Sequence, residues 1–206
     1  VNRRGPTNVR INNLSETDIQ NGDIIQVELE GEKLYGEPQG VLKKVLGNFG
    51  KPGAPEIVIC AELDIPIEFS KASISECLAA GPPEPKGRED LTSIPLVTID
   101  DEDARDFDDA VWAEPDTSEN NLGGWNLMIA IADVASYVKA DSALDKDAQD
   151  RGNSVYLPAK VIPMLPEALS NDWCSLKPGK DRACMAVRIS INKEGKTLAY
   201  GFTRGI

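Results

Sequence analysis

The stretch with the strongest pattern in this sequence is residues 94–113, IPLVTIDDEDARDFDDAVWA. An apolar run, residues 94–99, leads into residues 100–109, which contain seven carboxylates and a single arginine. A second apolar segment, residues 110–113, follows directly. Because buried β-strands are apolar, the pattern predicts an acidic segment that starts at a strand end and is flanked by core material.

Three interpretations of the acidic residues compete. A run of charges is most often a solvated loop, and the residues alone leave that interpretation open. A calcium loop of the EF-hand type requires glycine at its sixth position. The frames that begin at Asp101 and Asp103 both place an aspartate there, so this interpretation is excluded.

The third interpretation is a Mg²⁺ site for phosphoryl transfer. Two ions about 3.5–4 Å apart activate water and stabilise the leaving oxygen without a protein base. In an extended segment Asp106 and Asp108 would share one face, with Asp109 on the other face. Asp100 would join them from the end of the preceding strand.

Histidine is absent from the sequence. Its absence excludes Ser-His-Asp and Cys-His catalysis within this chain, as well as histidine-based metal sites. The working groups of an enzyme would therefore be carboxylates or Lys, Arg, Tyr and Ser. Four cysteines without a CxxC motif are predicted to be buried free thiols, as expected in a reducing compartment; they are Cys60, Cys77, Cys174 and Cys184.

The net charge of −12 is unusual for a nucleic-acid-binding protein. Residues 100–109 alone contribute −6, and bound Mg²⁺ would offset much of that local charge. The acidic balance therefore does not exclude a nucleic acid as a partner. No apolar run of about 18 residues and no signal peptide is present, which predicts a soluble, cytoplasmic protein without a membrane partner.

Residues 1–70 have the pattern of short strands separated by glycine turns. Apolar and polar residues alternate at 23–30, and the apolar run at 56–63 predicts another strand. This part is predicted to form a small oligonucleotide-binding (OB-fold) barrel. Lys43, Lys44 and a group of arginines (Arg3, Arg4 and Arg10) are candidates for contacts with nucleic-acid phosphates.

From residue 71 onward the pattern changes to mixed α and β. Residues 71–80 predict a short helix, and the GPPEPKG run at 81–87 marks a domain boundary. Residues 142–151 predict a helix with Ser142 as its N-cap and Gly152 after its end. The C-terminal segment, on either side of the turn sequence NKEG, predicts a β-hairpin.

Three longer stretches make the sequence recognisable. They run from GREDL to DFDDAV (87–111), through AIADVASYV (130–138), and along RGNSVYLPAKVIPMLPEALSNDWCSLKP (151–178). In order and spacing they resemble the ribonuclease II/ribonuclease R (RNB) family of 3′→5′ exoribonucleases, nearer to the ribonuclease R branch. The N-terminal part resembles the family's second cold-shock barrel, through GDIIQVEL, GVLKKVLG and IPIEF.

The resemblance implies an α+β fold in three parts. These are a cold-shock/OB-fold RNA-binding domain at 1–70, a helix and linker at 71–87, and the N-terminal part of an RNB catalytic domain at 88–206. The implied activity is processive 3′→5′ hydrolysis of single-stranded RNA to nucleoside 5′-monophosphates, with Mg²⁺ or, as a substitute, Mn²⁺. The implied alternative is a non-catalytic RNA-binding or scaffold relative.

The family's four motif aspartates correspond to Asp100, Asp106, Asp108 and Asp109, which are implied to be the catalytic metal ligands. Of these, Asp108 is expected to matter most for the second metal and the attacking water. Tyr156, in SVYLP, matches the family tyrosine that holds the 3′-terminal nucleotide. Packing in the core is the alternative interpretation of Tyr156.

The sequence begins at Val1 rather than at a methionine and ends at Ile206, before the family's catalytic domain is complete. The family's later acidic and arginine active-site residues would follow Ile206. We therefore expect this chain to be part of a longer, monomeric exoribonuclease and to be inactive, or nearly so, by itself.

Overall fold

The computed structural model describes residues 8–14, 19–31 and 37–206. Contacts divide the chain into two compact units, Val1–Glu68 with Val155–Ile162, and Phe69–Ser154 with Pro163–Ile206. Within the described residues there are three α-helices, α1 (Ala54–Glu62), α2 (Lys71–Leu78) and α3 (Ala143–Arg151). None of these helices is long and apolar enough to cross a membrane.

The described residues also contain nine β-strands in three sheets. They are β1 (Arg10–Ile11), β2 (Asp23–Glu30), β3 (Gln39–Asn48), β4 (Asp109–Pro115), β5 (Trp125–Ala132), β6 (Val155–Leu157), β7 (Lys160–Ile162), β8 (Cys184–Ile191) and β9 (Thr197–Gly205).

The first unit contains a three-stranded sheet in the order β1-β3-β2, in which β1 is parallel and β2 antiparallel to β3. The predicted strand at 23–30 is confirmed as β2. Gly40 in β3 lies so close to β2 that a Cβ there would be 2.4 Å from Val27 Cγ1. A glycine inside a strand is explained here by this close approach. The hairpin β6-β7 belongs to the same unit.

The strand predicted at residues 56–63 is wrong, because this segment forms helix α1. A continuous apolar run does not by itself distinguish a buried strand from a buried helix. The residues before the run decide the outcome: Gly53, with φ 85°, is the N-cap, and Pro55 lies in the first turn. Proline is favoured there because its missing N–H has no partner within the helix.

The second unit is built on an antiparallel sheet in the order β4-β5-β8-β9. One face of this sheet packs into a core around Leu91, which consists of Met128, Ala130, Cys184 and Ala186. Because side chains alternate along a strand, the neighbouring residues point to the opposite face. The predicted hairpin around NKEG is confirmed as β8 and β9.

A second core cluster forms where helices α2 and α3 approach the end of β5; its buried members are Cys77, Ala132, Leu144, Leu169 and Cys174. Both helices confirm the predictions for residues 71–80 and 142–151. All four cysteines are free and buried, as predicted. Burial raises the pKa of the Cys174 thiol to about 12, so it stays protonated at neutral pH.

The strand predicted at residues 94–99 is also wrong. Only Val97 pairs with a neighbour there, exchanging two backbone hydrogen bonds with Val111 of β4. Pro95 lacks the N–H that a longer ladder would need, and Ile99 is 86% exposed. Asp100 therefore follows an irregular segment rather than the end of a strand.

Candidate active site

Residues 100–109, the carboxylate segment, run irregularly toward the start of β4. Asp109 is the first residue of β4 and pairs with Ile131 of β5. The carbonyl of Asp108 accepts a hydrogen bond of 2.8 Å from the N–H of Ala132, which extends the strand contact by one residue. The C-terminal end of the segment is thus attached to the sheet.

A second attachment comes from the chain near residue 175. The Ser175 hydroxyl donates to the carbonyl oxygen of Arg105 at 2.8 Å and accepts from the N–H of Phe107 at 3.1 Å. The N–H of Leu176 donates to the carbonyl of Phe107 at 2.7 Å. The backbone on both sides of Asp106 is therefore fixed by hydrogen bonds.

The side chains of the four predicted ligands, Asp100, Asp106, Asp108 and Asp109, are all exposed. Within residues 8–14, 19–31 and 37–206, neither a hydrogen bond nor an ion pair engages their carboxylates, and no group of three potential ligands is placed to hold a metal ion. The structure keeps the four side chains on one short segment without assembling them into a metal site. Their assignment as ligands stays a prediction.

The donor chemistry fits Mg²⁺ nonetheless. All four side chains offer hard oxygen ligands, which Mg²⁺ prefers. This ion usually keeps several waters and is held by one or two carboxylates together with substrate phosphates, so a complete protein cage is not required. The remaining acidic residues of the segment, Asp101, Glu102 and Asp103, are also exposed.

Tyr156 lies in β6 and belongs to the first compact unit, whereas the four aspartates belong to the second. Its side chain is 70% exposed, which contradicts the alternative of core packing. An exposed aromatic ring is available for stacking on a base. Its role in holding the 3′-terminal nucleotide stays a prediction.

The candidates for phosphate contacts have mixed outcomes. Lys43 and Lys44 lie on β3 as expected, but they pair with Glu28 and Glu68, respectively. Arg10 lies on β1 and is exposed. The predictions for Arg3 and Arg4 fall outside the described residues.

Sequence reasoning missed two features that shape this region. The first is Ser175, whose partners in the carboxylate segment are 68 and 70 residues away along the chain. The second is the ion pair between Arg88 and Asp133, with an N–O distance of 2.7 Å and side chains that are 10% and 2% exposed. Arg88 and Asp133 lie in stretches that carry the family resemblance, but no local sequence pattern indicates that residues so far apart form a pair.

Carboxylate oxygens are the ligands that the divalent metals of phosphoryl-transfer enzymes prefer, so the segment is compatible with that class of enzyme. Comparison with known proteins makes this specific. The RNB domain model matches residues 88–206, and a cold-shock domain model matches residues 1–70. The chain belongs to the RNB family, with a cold-shock domain before part of the RNB domain.

Ribonuclease R proteins are among its relatives. Ribonuclease R of Vibrio parahaemolyticus is 46% identical over 185 residues, which are 87% of this chain and 22% of that protein. The structure resembles Mycoplasma genitalium RNase R in complex with ribose-methylated single-stranded RNA, with a TM-score of 0.84 at 27% identity over 96% of this chain and 31% of that one. The corresponding complex with double-stranded RNA gives a TM-score of 0.86, also at 27% identity, over 96% and 35% of the two chains.

The expected α+β fold class and the family are confirmed by these matches. The chain spans between 20% and 38% of the length of the ribonuclease R relatives it matches, 22% for that of Vibrio parahaemolyticus.

Proposed function

We propose that this chain is part of a processive 3′→5′ exoribonuclease that hydrolyses single-stranded RNA to nucleoside 5′-monophosphates with Mg²⁺. The observation that carries the proposal is the carboxylate segment itself. Four exposed aspartates on the segment that leads into β4 occur in a chain that is 46% identical to a ribonuclease R. The RNA held by the Mycoplasma genitalium structures supports RNA as the substrate here.

In this proposal Asp100, Asp106 and Asp109 bind metal directly or through water, and Asp108 is the most important for the second ion. When bound, the ions supply an activated water and neutralise charge at the leaving oxygen. The segment's own contribution is to hold carboxylate oxygens on a backbone that β5 and the Ser175 region fix in place. Because these carboxylates are exposed, an RNA phosphate can reach them.

Tyr156 has a second role in the proposal. Its exposed ring would stack on a terminal base, a contact worth about 1–3 kcal/mol that does not depend on the base. The four buried free thiols agree with the cytoplasmic location expected from the sequence. A chain limited to residues 1–206 is proposed to bind metal but to hydrolyse RNA slowly or not at all.

The test uses the full-length protein, uniformly labelled single-stranded RNA and Mg²⁺, with nucleoside monophosphate release as the readout. We expect Asp108→Asn to slow release by at least roughly a hundredfold, because a metal ligand is lost, while RNA binding measured by fluorescence anisotropy is retained. Asp101→Asn is the matched control, since Asp101 is an exposed carboxylate of the same segment and is not a proposed ligand. Its rate should stay within about twofold of wild type.

Two results would count against the proposal. Equal rates for the Asp108 and Asp101 variants would refute the ligand assignment. RNA that is bound but left intact by the wild-type protein would instead favour the non-catalytic RNA-binding relative.

A further inference from the structure

We propose that Ser175 is a positioning residue for the carboxylate segment, which means that its hydroxyl sets the metal affinity of aspartates that it does not touch. This inference rests on the proposed function, since it concerns the same aspartates. Ser175 belongs to the second compact unit, as do all the residues it contacts here.

The hydroxyl of Ser175 is fully used. Its side chain has 0% exposure, and a serine hydroxyl offers one donor together with acceptor capacity. The donor goes to the carbonyl of Arg105, and the acceptor takes the N–H of Phe107. The Ser175 hydroxyl therefore bridges the two peptide groups on either side of Asp106.

The neighbouring backbone completes the attachment. Leu176 donates its N–H to the carbonyl of Phe107, and Ala132 donates to the carbonyl of Asp108. Between residues 105 and 108 the segment forms no regular secondary structure, so helix or ladder bonds do not fix its conformation. These four hydrogen bonds fix the backbone from which the Asp106 and Asp108 side chains extend.

Ser175 is itself held rigidly. It follows a π-helical turn, Leu169–Trp173, and its N–H donates to the carbonyl of Asp172 at 3.0 Å. Arg182, whose side chain is 8% exposed, donates from Nε to that same carbonyl at 2.8 Å and from Nη2 to the Asp172 carboxylate. Ser175 thus attaches the exposed carboxylate segment to a buried and well-fixed part of the chain.

The rigidity of this attachment affects metal affinity. Carboxylates on a mobile loop lose conformational entropy when they bind an ion, and a loop that is already fixed loses less. Outer partners that orient metal ligands typically change metal affinity by about 10–100-fold when they are removed. Ser175→Ala removes both hydrogen bonds to the segment and leaves the backbone bonds of Leu176 and Ala132 in place. We expect the dissociation constant for Mn²⁺ to rise roughly tenfold, at the lower end of that range.

The experiment titrates the 206-residue chain with Mn²⁺ and follows free ion by electron paramagnetic resonance. Ser73→Ala is the matched control, because Ser73 is also 0% exposed and its hydroxyl is also hydrogen bonded, accepting from the hydroxyl of Ser70, the N-cap of α2. Both variants should lower the urea midpoint of unfolding to a similar extent. Only Ser175→Ala should weaken Mn²⁺ binding, and only Ser175→Ala should speed amide hydrogen exchange at Phe107.

If Ser175→Ala does not fold, Ser175→Cys replaces it, since a thiol keeps the shape but is a weak donor and acceptor. Its dissociation constant for Mn²⁺ should exceed that of wild type by less than about tenfold, and a value equal to that of wild type would refute the positioning role.

The outcomes separate this inference from the proposed function. If Asp106→Asn and Asp108→Asn weaken Mn²⁺ binding but Ser175→Ala matches Ser73→Ala, the positioning role is refuted and the metal site stands. If the wild-type chain does not bind Mn²⁺ through these aspartates, the proposed site is absent from this chain and the positioning role falls with it.

Discussion

At the scale of single residues, the buried pair of Arg88 and Asp133 ties the segment that precedes β4 to the end of β5. Arg88 donates to the Asp133 carboxylate at 2.7 Å and to the Ser136 hydroxyl at 2.6 Å. Asp133 also donates its N–H to the carbonyl of Ala183. A buried charge that loses its partner is strongly destabilising, so each residue depends on the other.

Asp133 predicts a specific dependence of stability on pH. Burial by itself raises the pKa of Asp133, but hydrogen bonds from Arg88 and Ser136 and the charge of Arg88 outweigh it, so the folded pKa lies below the usual value. The stabilisation is therefore complete above the unfolded pKa of about 3.9 and is lost as the pH falls through the folded pKa.

We expect Asp133→Asn to lower the free energy of unfolding by about 3 kcal/mol at pH 7, with a smaller difference from wild type near pH 3. Urea unfolding at both pH values measures this. Glu89→Gln is the control, because its ion pair with Arg188 is about half exposed on both sides and should contribute about 1 kcal/mol or less. Equal losses in the two variants would contradict the prediction.

At the scale of elements, helices α2 and α3 cap each other. Glu76 of α2 accepts from the N–H groups of Ala143 and Leu144 at the start of α3, at 3.0 and 2.9 Å. These hydrogen bonds hold the pKa of Glu76 below its usual value. In return, Asp147 of α3 accepts from the N–H of Ser70, the N-cap of α2, at 2.8 Å.

Helix α3 needs this support because its sequence, ALDKDAQDR, is short and mostly polar. Its own cap is Ser142, whose hydroxyl accepts from the N–H of Asp145 at 3.1 Å. We expect Ser142→Ala to cost about 1 kcal/mol in the free energy of unfolding, measured by urea denaturation. Ser93→Ala, in an exposed turn, should change it by less than about 0.5 kcal/mol. A Ser142 variant as stable as the Ser93 variant would show that Glu76 alone suffices.

The same helices show what a pattern along the chain can and cannot predict. Ser142, Asp145 and Gly152 are local signals, and the sequence predicted the cap and the end of α3 from them. Glu76 is 67 residues from Ala143, so its cap depends on tertiary packing. The apolar run at residues 56–63 fits a strand or a helix equally well, and the start signal at Gly53 and Pro55 decides for a helix.

At the scale of the whole molecule, one face of the sheet β4-β5-β8-β9 is apolar and open. We call it the apolar sheet face; it consists of Ile129, Ile131, Met185, Val187, Tyr200 and Phe202. Strand pairing places these six residues on the face opposite the core of Met128, Ala130, Cys184 and Ala186. Tyr200 and Phe202 are 70% and 71% exposed, and their rings meet edge to face with centroids 5.9 Å apart. Large exposed apolar patches bind other apolar surfaces.

The apolar sheet face predicts dye binding. We expect the 206-residue chain to enhance the fluorescence of anilinonaphthalene sulfonate, and the double variant Tyr200→Ser with Phe202→Ser to lose about half of that signal or more. Leu122→Ser is the control, because Leu122 is 74% exposed but lies in a loop outside this face. Unchanged fluorescence in the double variant would place the dye elsewhere.

Features that depend on neighbours along the chain are predictable from the amino-acid sequence. These were the α+β class, the helices at α2 and α3, the C-terminal hairpin, and a carboxylate segment whose flanking motifs pointed to the RNB family. Contacts between groups that are far apart in the sequence depend on the tertiary structure. Ser175 reaches the carboxylate segment, Arg88 reaches Asp133, and Glu76 reaches α3, because packing of the core brings them together. Hydrogen bonds and ion pairs act over about 3 Å in space, whatever the separation in sequence, and so a linear pattern does not reveal them.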